Sequence, residues 1–183
     1  MPIGRLVKLT KRFAVIRNAS LLAAAISMWT FALCGVLGIR INTSPSLPMG
    51  FYVTTSAETA NLIEFCPADP FATLSLRRGY RDRGVCEDGG APLLKPVIAK
   101  AGDLVDMSVR GISVNGVLLA NTAPLSTDTQ GRPLQSWPFG RYPVAPGAVW
   151  VGSSYHSRSF DSRYFGPVHI AAIRHRLKPL LTL

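Results

Sequence analysis

Three short segments of the sequence carry the side chains that could do chemistry. Residues 44–50 read Ser-Pro-Ser-Leu-Pro-Met-Gly, so Ser46 stands between prolines, which hold the backbone extended. Residues 93–99 are apolar apart from Lys95. Residues 157–168 crowd short polar and charged side chains together. A hydroxyl, a lysine in apolar surroundings and a polar cluster are together the groups that nucleophilic catalysis requires.

Lys95 is the side chain with the most unusual surroundings. A buried ammonium group is costly unless it is paired or gives up its proton, and desolvation lowers the pKa of a lysine. Such a lysine can act as a general base near neutral pH and activate a serine such as Ser46. The alternatives are a Lys95 that reaches solvent at the edge of a strand and a Ser46 in an ordinary turn next to a membrane.

The third segment offers an ion pair and a second catalytic hypothesis. Asp161 and Arg163 are two residues apart, which places them on one face of an extended strand, where they could pair. A solvated loop is the alternative. A triad of Ser46, His156 and Asp161 is also possible in principle, because triads are defined by geometry and not by order along the chain. However, no hydrolase motif surrounds His156.

The element that precedes these segments is predicted to cross a membrane. Residues 18–39 contain no charged residue and no polar face. As a helix rising about 1.5 Å per residue they span roughly 33 Å, which matches a bilayer core. The sequence therefore predicts a basic tail at 1–17, a transmembrane helix at 18–39 and an outer domain at 40–183. A cleaved signal peptide is the alternative, although its apolar part is usually only about 7–15 residues long.

The distribution of charge predicts the orientation of that helix. The tail has no acidic residue and five basic ones: Arg5, Lys8, Lys11, Arg12 and Arg17. Because basic flanks stay in the cytoplasm, we expect a single-pass protein of the bacterial inner membrane with a cytoplasmic N-terminus and a periplasmic outer domain. The formal net charge is +10, but residues 41–183, with 14 Lys and Arg against 10 Asp and Glu, contribute only +4. They lack the interleaved basic and aromatic residues of a nucleic-acid surface, so nucleic acid is excluded as a partner.

Cys66 and Cys86 are expected to form a disulfide. They lie 20 residues apart on the side of the membrane that is oxidising. Closing such a loop stabilises a fold by about 3 kcal/mol in the chain-entropy model. Two free thiols are an alternative. A metal site is disfavoured, because the sequence has no C-x-x-C motif and its three histidines are not spaced with the cysteines as zinc ligands would be. We expect no metal and no cofactor.

The outer domain is predicted to be mainly β, with antiparallel strands. Gly and Pro number 16 and 14, and no outer segment has a long helical period. Short strand-like runs lie at 93–99, 104–109, 112–114, 117–119 and 149–152. Asn115-Gly116 predicts a hairpin turn, since both residues tolerate positive φ. Residues 67–92 and 121–147 are predicted to be surface loops.

In order and in local spelling, the three segments resemble the type I signal peptidases, which are serine proteases with a Ser–Lys dyad. Ser46-Leu47-Pro48 is similar to the family's serine just beyond the membrane anchor, residues 95–103 to its KxVxxxxGD motif, and residues 159–166 to its SxDSRYxG motif. The chain resembles more closely the TraF-type branch of that family, which acts in conjugation. The runs that carry this resemblance are SLPMGFY, FCP, GxC, PLLKPV and FDSRYFGPV. One departure is that the family's last motif opens with Gly-Asp-Asn-Arg-Asp, whereas residues 153–157 here read Ser-Ser-Tyr-His-Ser, so the acidic residue that usually sits early in the motif is missing.

The resemblance implies a β catalytic domain of signal-peptidase type and a role for each residue. Ser46 is the nucleophile, and its backbone N–H helps to hold the oxyanion. Lys95 is the general base. The supporting residues implied are Ser44 as the second oxyanion donor, Ser159 to orient the lysine amine, and Asp161 with Arg163 as an ion pair.

The resemblance also implies a polypeptide substrate, bound as an extended strand beside residues 94–98. In the TraF-type branch this is the precursor of a conjugative or T-pilus pilin, and the pilin's own amino end can resolve the acyl-enzyme to give a cyclic product. The implied partners are the inner membrane and other proteins of the transfer apparatus. Two alternatives are a general type I signal peptidase that acts on preproteins and a non-catalytic assembly protein of a type IV secretion system. The second gives no reason for a lysine to lie beside Ser46.

Overall fold

The computed structural model describes residues 3–183. The chain divides into two compact units, Met1–Arg40 and Ile41–Leu183. The first consists chiefly of one helix, α1 (Ile3–Val36), and its segment Ile16–Val36 is long and apolar enough to cross a membrane. That helix fits a membrane anchor, and a signal sequence near an N-terminus has the same length and composition.

Helix α1 has different bounds from the span predicted at residues 18–39. It begins at Ile3, so residues 3–17 of the basic tail are helical as well, and it ends at Val36. Gly38 follows with φ 67°, a left-handed conformation that ends a helix and that glycine adopts at little cost. Residue 39 already belongs to a strand. The predicted bounds are those of the uncharged stretch 18–39. The presence or absence of charged residues does not determine where a helix begins or ends.

Most of the remaining chain is built from short strands. These are β1 (Ile39–Asn42), β2 (Gly50–Thr55), β3 (Leu62–Phe65), β4 (Leu93–Lys100), β5 (Leu104–Ser108), β6 (Gly111–Val114), β7 (Val117–Leu118), β8 (Gly140–Pro143), β9 (Ala148–Val151), β10 (Val168–His169) and β11 (Ile173–Thr182). Two short helices, α2 (Phe71–Arg77) and α3 (Ser162–Phe165), and a 3₁₀ turn at Ile170–Ala172 complete the described elements.

The strands form two sheets. The larger has the order β1-β2-β11-β3-β4-β9-β10, and the smaller has the order β7-β6-β5-β8. The strand pairs from β2–β11 to β9–β10, and those of the smaller sheet, are antiparallel. The predicted mainly β, antiparallel fold with an apolar N-terminal helix is therefore confirmed.

The runs predicted as strands correspond to β4, β5, β6, β7 and β9. Between β6 and β7, Asn115 has φ 50° and Gly116 has φ 85°, as the predicted turn requires. Both predicted loops contain an element as well: α2 lies within 67–92 and β8 within 121–147. Proline and glycine marked these segments as irregular, and they are irregular outside these short elements.

Strand β11 was not predicted, although it lies in the middle of the larger sheet. It pairs with β2 on one side and with β3 on the other. Its sequence, Ile-Arg-His-Arg-Leu-Lys-Pro-Leu-Leu-Thr, has basic residues and a proline where an alternating apolar pattern would be expected. Leu177 is its one fully buried residue. The sheet is thus completed by a strand whose own sequence does not favour burial.

Apolar packing fixes where the three sequence segments sit. Leu47, next to Ser46, packs in a buried cluster with residues of β2, β3 and β11: Tyr52, Leu62 and Leu177. Burying one leucine stabilises a fold by about 1.5–3 kcal/mol. Phe160, Tyr164 and Phe165 of the third segment pack in a second cluster against residues of β3 and β9. The first and third segments are therefore both anchored to the larger sheet, and both clusters include residues of β3, the neighbour of β4.

Cys66 and Cys86 form the predicted disulfide. Their S–S distance is 2.05 Å and their Cα atoms are 5.8 Å apart. The bond lies in the excursion, the segment of residues 66–92 that contains α2. Inside it, the guanidinium group of Arg81 is buried and binds Ser75 Oγ, the carbonyl oxygens of Ala72 and Ala91, and the carboxylate of Asp88. The excursion is therefore an ordered part of the domain and not a loose loop.

Replacing both Cys66 and Cys86 with Ala should lower the free energy of unfolding by about 3 kcal/mol, because the loop is no longer closed in the unfolded chain. Denaturant titration of the full chain in detergent micelles measures this. Cys34→Ala is the matched control, since Cys34 is a free cysteine in α1. Equal stability of the double variant and the control would contradict the prediction.

Candidate active site

Ser46 lies in the loop of residues 43–49 that joins β1 to β2, which is called the Ser46 loop below. Lys95 lies on β4, where residues 93 and 95 are buried and, being two residues apart, point to the same side. The alternation of the strand therefore turns Lys95 into the protein. Lys95 is 5 % exposed and Ser46 is 4 % exposed. The alternative in which Lys95 reaches solvent at a strand edge is wrong.

The two side chains are in direct contact. Lys95 Nζ lies 2.7 Å from Ser46 Oγ. Burial lowers the pKa of Lys95 from 10.5 to about 8; the carboxylate of Asp161 opposes this shift and the Arg163 guanidinium adds to it. The predicted proximity and burial are confirmed. A lysine in this state holds a substantial neutral fraction near neutral pH and can accept a proton from the hydroxyl it touches.

Ser44 also lies beside the reacting hydroxyl. Its Oγ is 3.0 Å from Ser46 Oγ. The backbone N–H of Ser46 donates to Ser44 Oγ over 3.4 Å. The two groups expected to hold an oxyanion therefore face the same small space next to Ser46. Their role there stays a prediction.

Asp161 and Arg163 form a fully buried ion pair. Arg163 donates from Nε to Asp161 Oδ1 at 2.8 Å and from a terminal nitrogen to Oδ2 at 2.9 Å. Both side chains are 0 % exposed. The predicted pairing is present, but its predicted reason is wrong. The residues do not share the face of a strand: Asp161 is the N-cap of α3, and its carboxylate also accepts from the Arg163 backbone N–H. The solvated-loop alternative is wrong as well.

Arg163 ties this pair to the surrounding chain. It donates to the backbone carbonyl oxygens of Asn121, Ser157 and Ser159 at 2.7–2.9 Å. At the far end of α3, Gly166 has φ 71°, and a Cβ there would lie 2.6 Å from the Trp137 ring. Only glycine fits that close approach without strain.

Ser159 does not make its predicted contact. Its hydroxyl is buried and has no hydrogen-bond partner among the described residues. The expected hydrogen bond from Ser159 to the Lys95 amine is therefore absent here. The reason is local: Ser159 precedes the N-cap of α3, and it is its carbonyl oxygen, not its hydroxyl, that Arg163 binds.

The alternative triad is not assembled. In the part of the chain that the structure describes, Ser46 Oγ has Lys95 and Ser44 as its hydrogen-bond partners. His156 Nδ1 accepts instead from the backbone N–H of Arg158 at 3.2 Å. Serine and lysine are therefore brought together, and His156 is not part of that contact.

Sequence reasoning missed two side chains that touch the Ser46 loop. Ser153, 0 % exposed, donates to the carbonyl oxygen of Ser46, and its backbone N–H donates to Asp161. Ser153 is the first residue of the stretch 153–157 that departs from the usual motif, and that departure is the sequence signal that could have identified it. Asn42 is buried at the end of β1 and binds three carbonyls of the loop. Nothing in the sequence separates it from an ordinary turn residue.

The strand beside which a substrate was expected is partly occupied. β4 pairs with β3 along residues 93–96 and with β9 at Val97, Ala99 and Lys100. The Pro96 carbonyl oxygen also accepts from the Gly152 backbone N–H. Within the predicted range of 94–98, residues 94 and 95 are therefore the ones that pair with no described strand on the β9 side, and substrate binding there stays a prediction.

No group of three or more His, Cys, Asp or Glu side chains that could hold a metal ion occurs among the described residues. The polar groups around Ser46 are a hydroxyl, an amine, amides and one ion pair, and each buried charge other than Lys95 has an opposite charge beside it. Such a site is suited to proton transfer and acyl transfer.

Comparison with known proteins gives consistent matches. A family model described as "Signal peptidase, peptidase S26" matches residues 10–180. The plasmid transfer protein TraF of Escherichia coli is 33 % identical over 183 residues, covering 98 % of this chain and 99 % of that protein. A probable conjugal transfer protein TraF of Sinorhizobium fredii is 35 % identical, covering 97 % and 96 %. Among solved structures, a signal peptidase I from Enterococcus faecalis matches at 20 % identity and a TM-score of 0.37, over 68 % of this chain and 99 % of that one.

Proposed function

The chain belongs to the signal peptidase family, peptidase S26, and from that premise we propose that it is a membrane-anchored serine endopeptidase that cleaves the precursor of a conjugative or T-pilus pilin. Ser46 is the nucleophile and Lys95 the general base. The observation that carries the proposal is the 2.7 Å contact between a buried lysine amine and a buried serine hydroxyl, with the pKa of the lysine lowered to about 8. An assembly protein without activity gains nothing from such a contact, because burying the lysine costs stability.

Acylation follows from this geometry. Ser46 Oγ attacks the scissile carbonyl carbon while neutral Lys95 takes the hydroxyl proton. The negative charge on the carbonyl oxygen is held by the Ser46 backbone N–H and the Ser44 hydroxyl, which lie beside Ser46 Oγ. The C–N bond then breaks, and Lys95 returns the proton to the leaving amine. An ester between Ser46 and the substrate remains.

Deacylation regenerates the serine. Lys95, again neutral, takes a proton from the attacking group, and the ester C–O bond breaks as Ser46 recovers its proton. Water gives a linear product. The neutral amino end of the same polypeptide gives a new peptide bond and a cyclic product, and we propose that this chain can use both routes.

Two features support the location that we propose for residues 40–183. Five basic residues lie between positions 5 and 17, before the uncharged stretch 18–39, which by the positive-inside rule keeps the N-terminus in the cytoplasm. The Cys66–Cys86 disulfide fits an oxidising compartment. We therefore place residues 40–183 in the periplasm, with the inner membrane and other proteins of a transfer apparatus as partners. The TraF relatives, named for plasmid and conjugal transfer, favour that context over general secretion.

Co-expression of the full chain with the pilin precursor of its own transfer system should convert the precursor to a lighter product. With Ser46→Ala the precursor should persist, because no acyl-enzyme can form. Intact mass spectrometry of the pilin measures this, and a cyclic product is lighter than the linear one by one water molecule. Ser126→Ala, an exposed serine in a loop, is the control.

Normal processing by Ser46→Ala would contradict the proposal. Cleavage of an ordinary preprotein by the wild-type chain, with the pilin precursor left intact, would favour the alternative of a general signal peptidase.

A further inference from the structure

We propose that Asn42 is a positioning residue for Ser46: its buried side chain holds the Ser46 loop in the one conformation that presents the hydroxyl to Lys95. The inference rests on the proposed function, because it assigns a role in the same reaction. Asn42 is 7 % exposed and is the last residue of β1, directly before the loop.

The side chain of Asn42 binds the loop at both of its ends. Its Nδ2 lies 2.9 Å from the carbonyl oxygen of Ser44, 3.2 Å from that of Leu47 and 3.1 Å from that of Pro48. Its Oδ1 accepts from the backbone N–H of Ser44 at 3.2 Å. The start and the end of the loop are therefore held by a single side chain, with Ser46 between them.

The orientation of this amide is determined by its partners. Carbonyl oxygens only accept hydrogen bonds, so the group that faces three of them must be the NH₂. The N–H of Ser44 in turn needs an acceptor, which Oδ1 supplies. The two amide protons are shared among three carbonyls, and an aspartate in the same place could satisfy none of them.

Two other side chains also bind carbonyl oxygens of the Ser46 loop. Ser153 Oγ donates to the carbonyl oxygen of Ser46. Tyr52 donates from its hydroxyl to that of Pro48 at 2.6 Å. The carbonyls of residues 44, 46, 47 and 48 are thus all bound by buried or half-buried side chains, and Asn42 supplies the largest share.

This arrangement matters because the loop has little regular structure of its own. Its one internal backbone hydrogen bond runs from Leu47 N–H to the Ser44 carbonyl oxygen at 3.5 Å. A shift of about 1 Å in a reacting group can lower turnover by about 100-fold. Without Asn42 we expect the loop to move by that order, so that Ser46 Oγ leaves the reach of Lys95.

The experiment compares Asn42→Ala and Asn42→Asp with wild type, using the full chain in detergent micelles and a fluorogenic peptide with small residues on both sides of the scissile bond. We expect kcat to fall by about 100-fold, with KM within about threefold of wild type. Asn61→Asp is the matched control, since Asn61 is exposed outside the loop and its side chain has no role in the reaction.

The pH profile separates positioning from a general loss of structure. Lys95 stays buried in the Asn42 variants, so the profile should keep its midpoint near 8 while its plateau falls. If the site were merely disordered, Lys95 would become hydrated and the midpoint would move up toward 10.5. A plateau within about threefold of wild type in whichever variant folds, or a midpoint shifted upward, would overturn the inference.

Ser46→Ala is measured in parallel to keep the two proposals apart. If Ser46→Ala is inactive and the Asn42 variants keep their turnover, the inference fails and the proposed function stands. If Ser46→Ala keeps its turnover, the proposed function fails and the role of Asn42 fails with it.

Discussion

Lys95→Arg should lose both turnover and stability, whereas Lys95→Met should lose turnover alone. A guanidinium group cannot give up its proton in a protein, so Arg cannot act as a base and keeps its charge in a site that is 5 % exposed. Met fills similar space without charge. Because general base catalysis contributes about 10²–10⁴-fold, we expect turnover to fall by at least that factor in both variants.

The measurement pairs peptide turnover with thermal unfolding of each variant. Lys95→Met should unfold at or above the wild-type temperature at pH 7, since it removes a buried amine. Near-normal turnover by Lys95→Arg would show that the base is another residue. The prediction would also be wrong if Lys95→Met were unfolded, because the Met variant would then lose stability as the Arg variant does.

Both the turnover and the stability of the wild-type protein are expected to rise with pH. Only neutral Lys95 can accept the Ser46 proton, and burial lowers its pKa to about 8, so turnover should rise as pH increases through about 8. Between pH 8 and 10.5 the unfolded chain binds more protons than the folded one. The free energy of unfolding should therefore rise with pH across that window, and Lys95→Met should abolish the rise.

Asp161→Ala should cause the second large effect, a loss of roughly 3–5 kcal/mol in the free energy of unfolding. The substitution removes the carboxylate, so the Arg163 guanidinium stays buried without an opposite charge. Asp161→Asn keeps the shape and one acceptor oxygen and should lose less. Turnover should fall with stability in both. Asp106→Ala is the matched control, since its pair with Arg141 is exposed and should change stability by no more than about 1 kcal/mol.

Asp161 also bears on Lys95, because its carboxylate opposes the lowering of the lysine pKa. In any Asp161→Asn protein that folds, the midpoint of the pH profile should therefore move to lower pH. If Asp161→Asn keeps wild-type stability yet is as inactive as Ser46→Ala, then Asp161 takes part in the chemistry and its structural assignment is wrong.

The contact between Ser46 and Lys95 could be predicted because each residue stands out locally. A lysine in an apolar run points to burial, and the alternation of a strand turns it inward. The disulfide was predictable from the expected compartment, and β5, β6 and β7 from their apolar runs and turn. These features depend on residues close together in sequence.

The features that were missed depend on long-range contacts. β11 is polar and basic, and it is a strand because β2 and β3 leave a gap for it. Ser153 and Asn42 are common polar residues whose importance comes from which backbone carbonyls the fold brings near them. Asp161 pairs with Arg163 as the cap of a short helix, which the local pattern had placed in a strand.

The position of β11 has a consequence for when the active site can exist. In the larger sheet β11 separates β2, which follows Ser46, from β3, which pairs with the strand of Lys95. Until β11 is in place, strand pairing does not join the two parts of the sheet, one next to Ser46 and the other carrying Lys95. The chain is synthesised from its N-terminal side, so residues 173–182 are made after both parts of the sheet. The contact between Ser46 and Lys95 therefore depends on a strand that is synthesised late, and we expect the nascent chain to lack this contact until β11 has been added to the sheet.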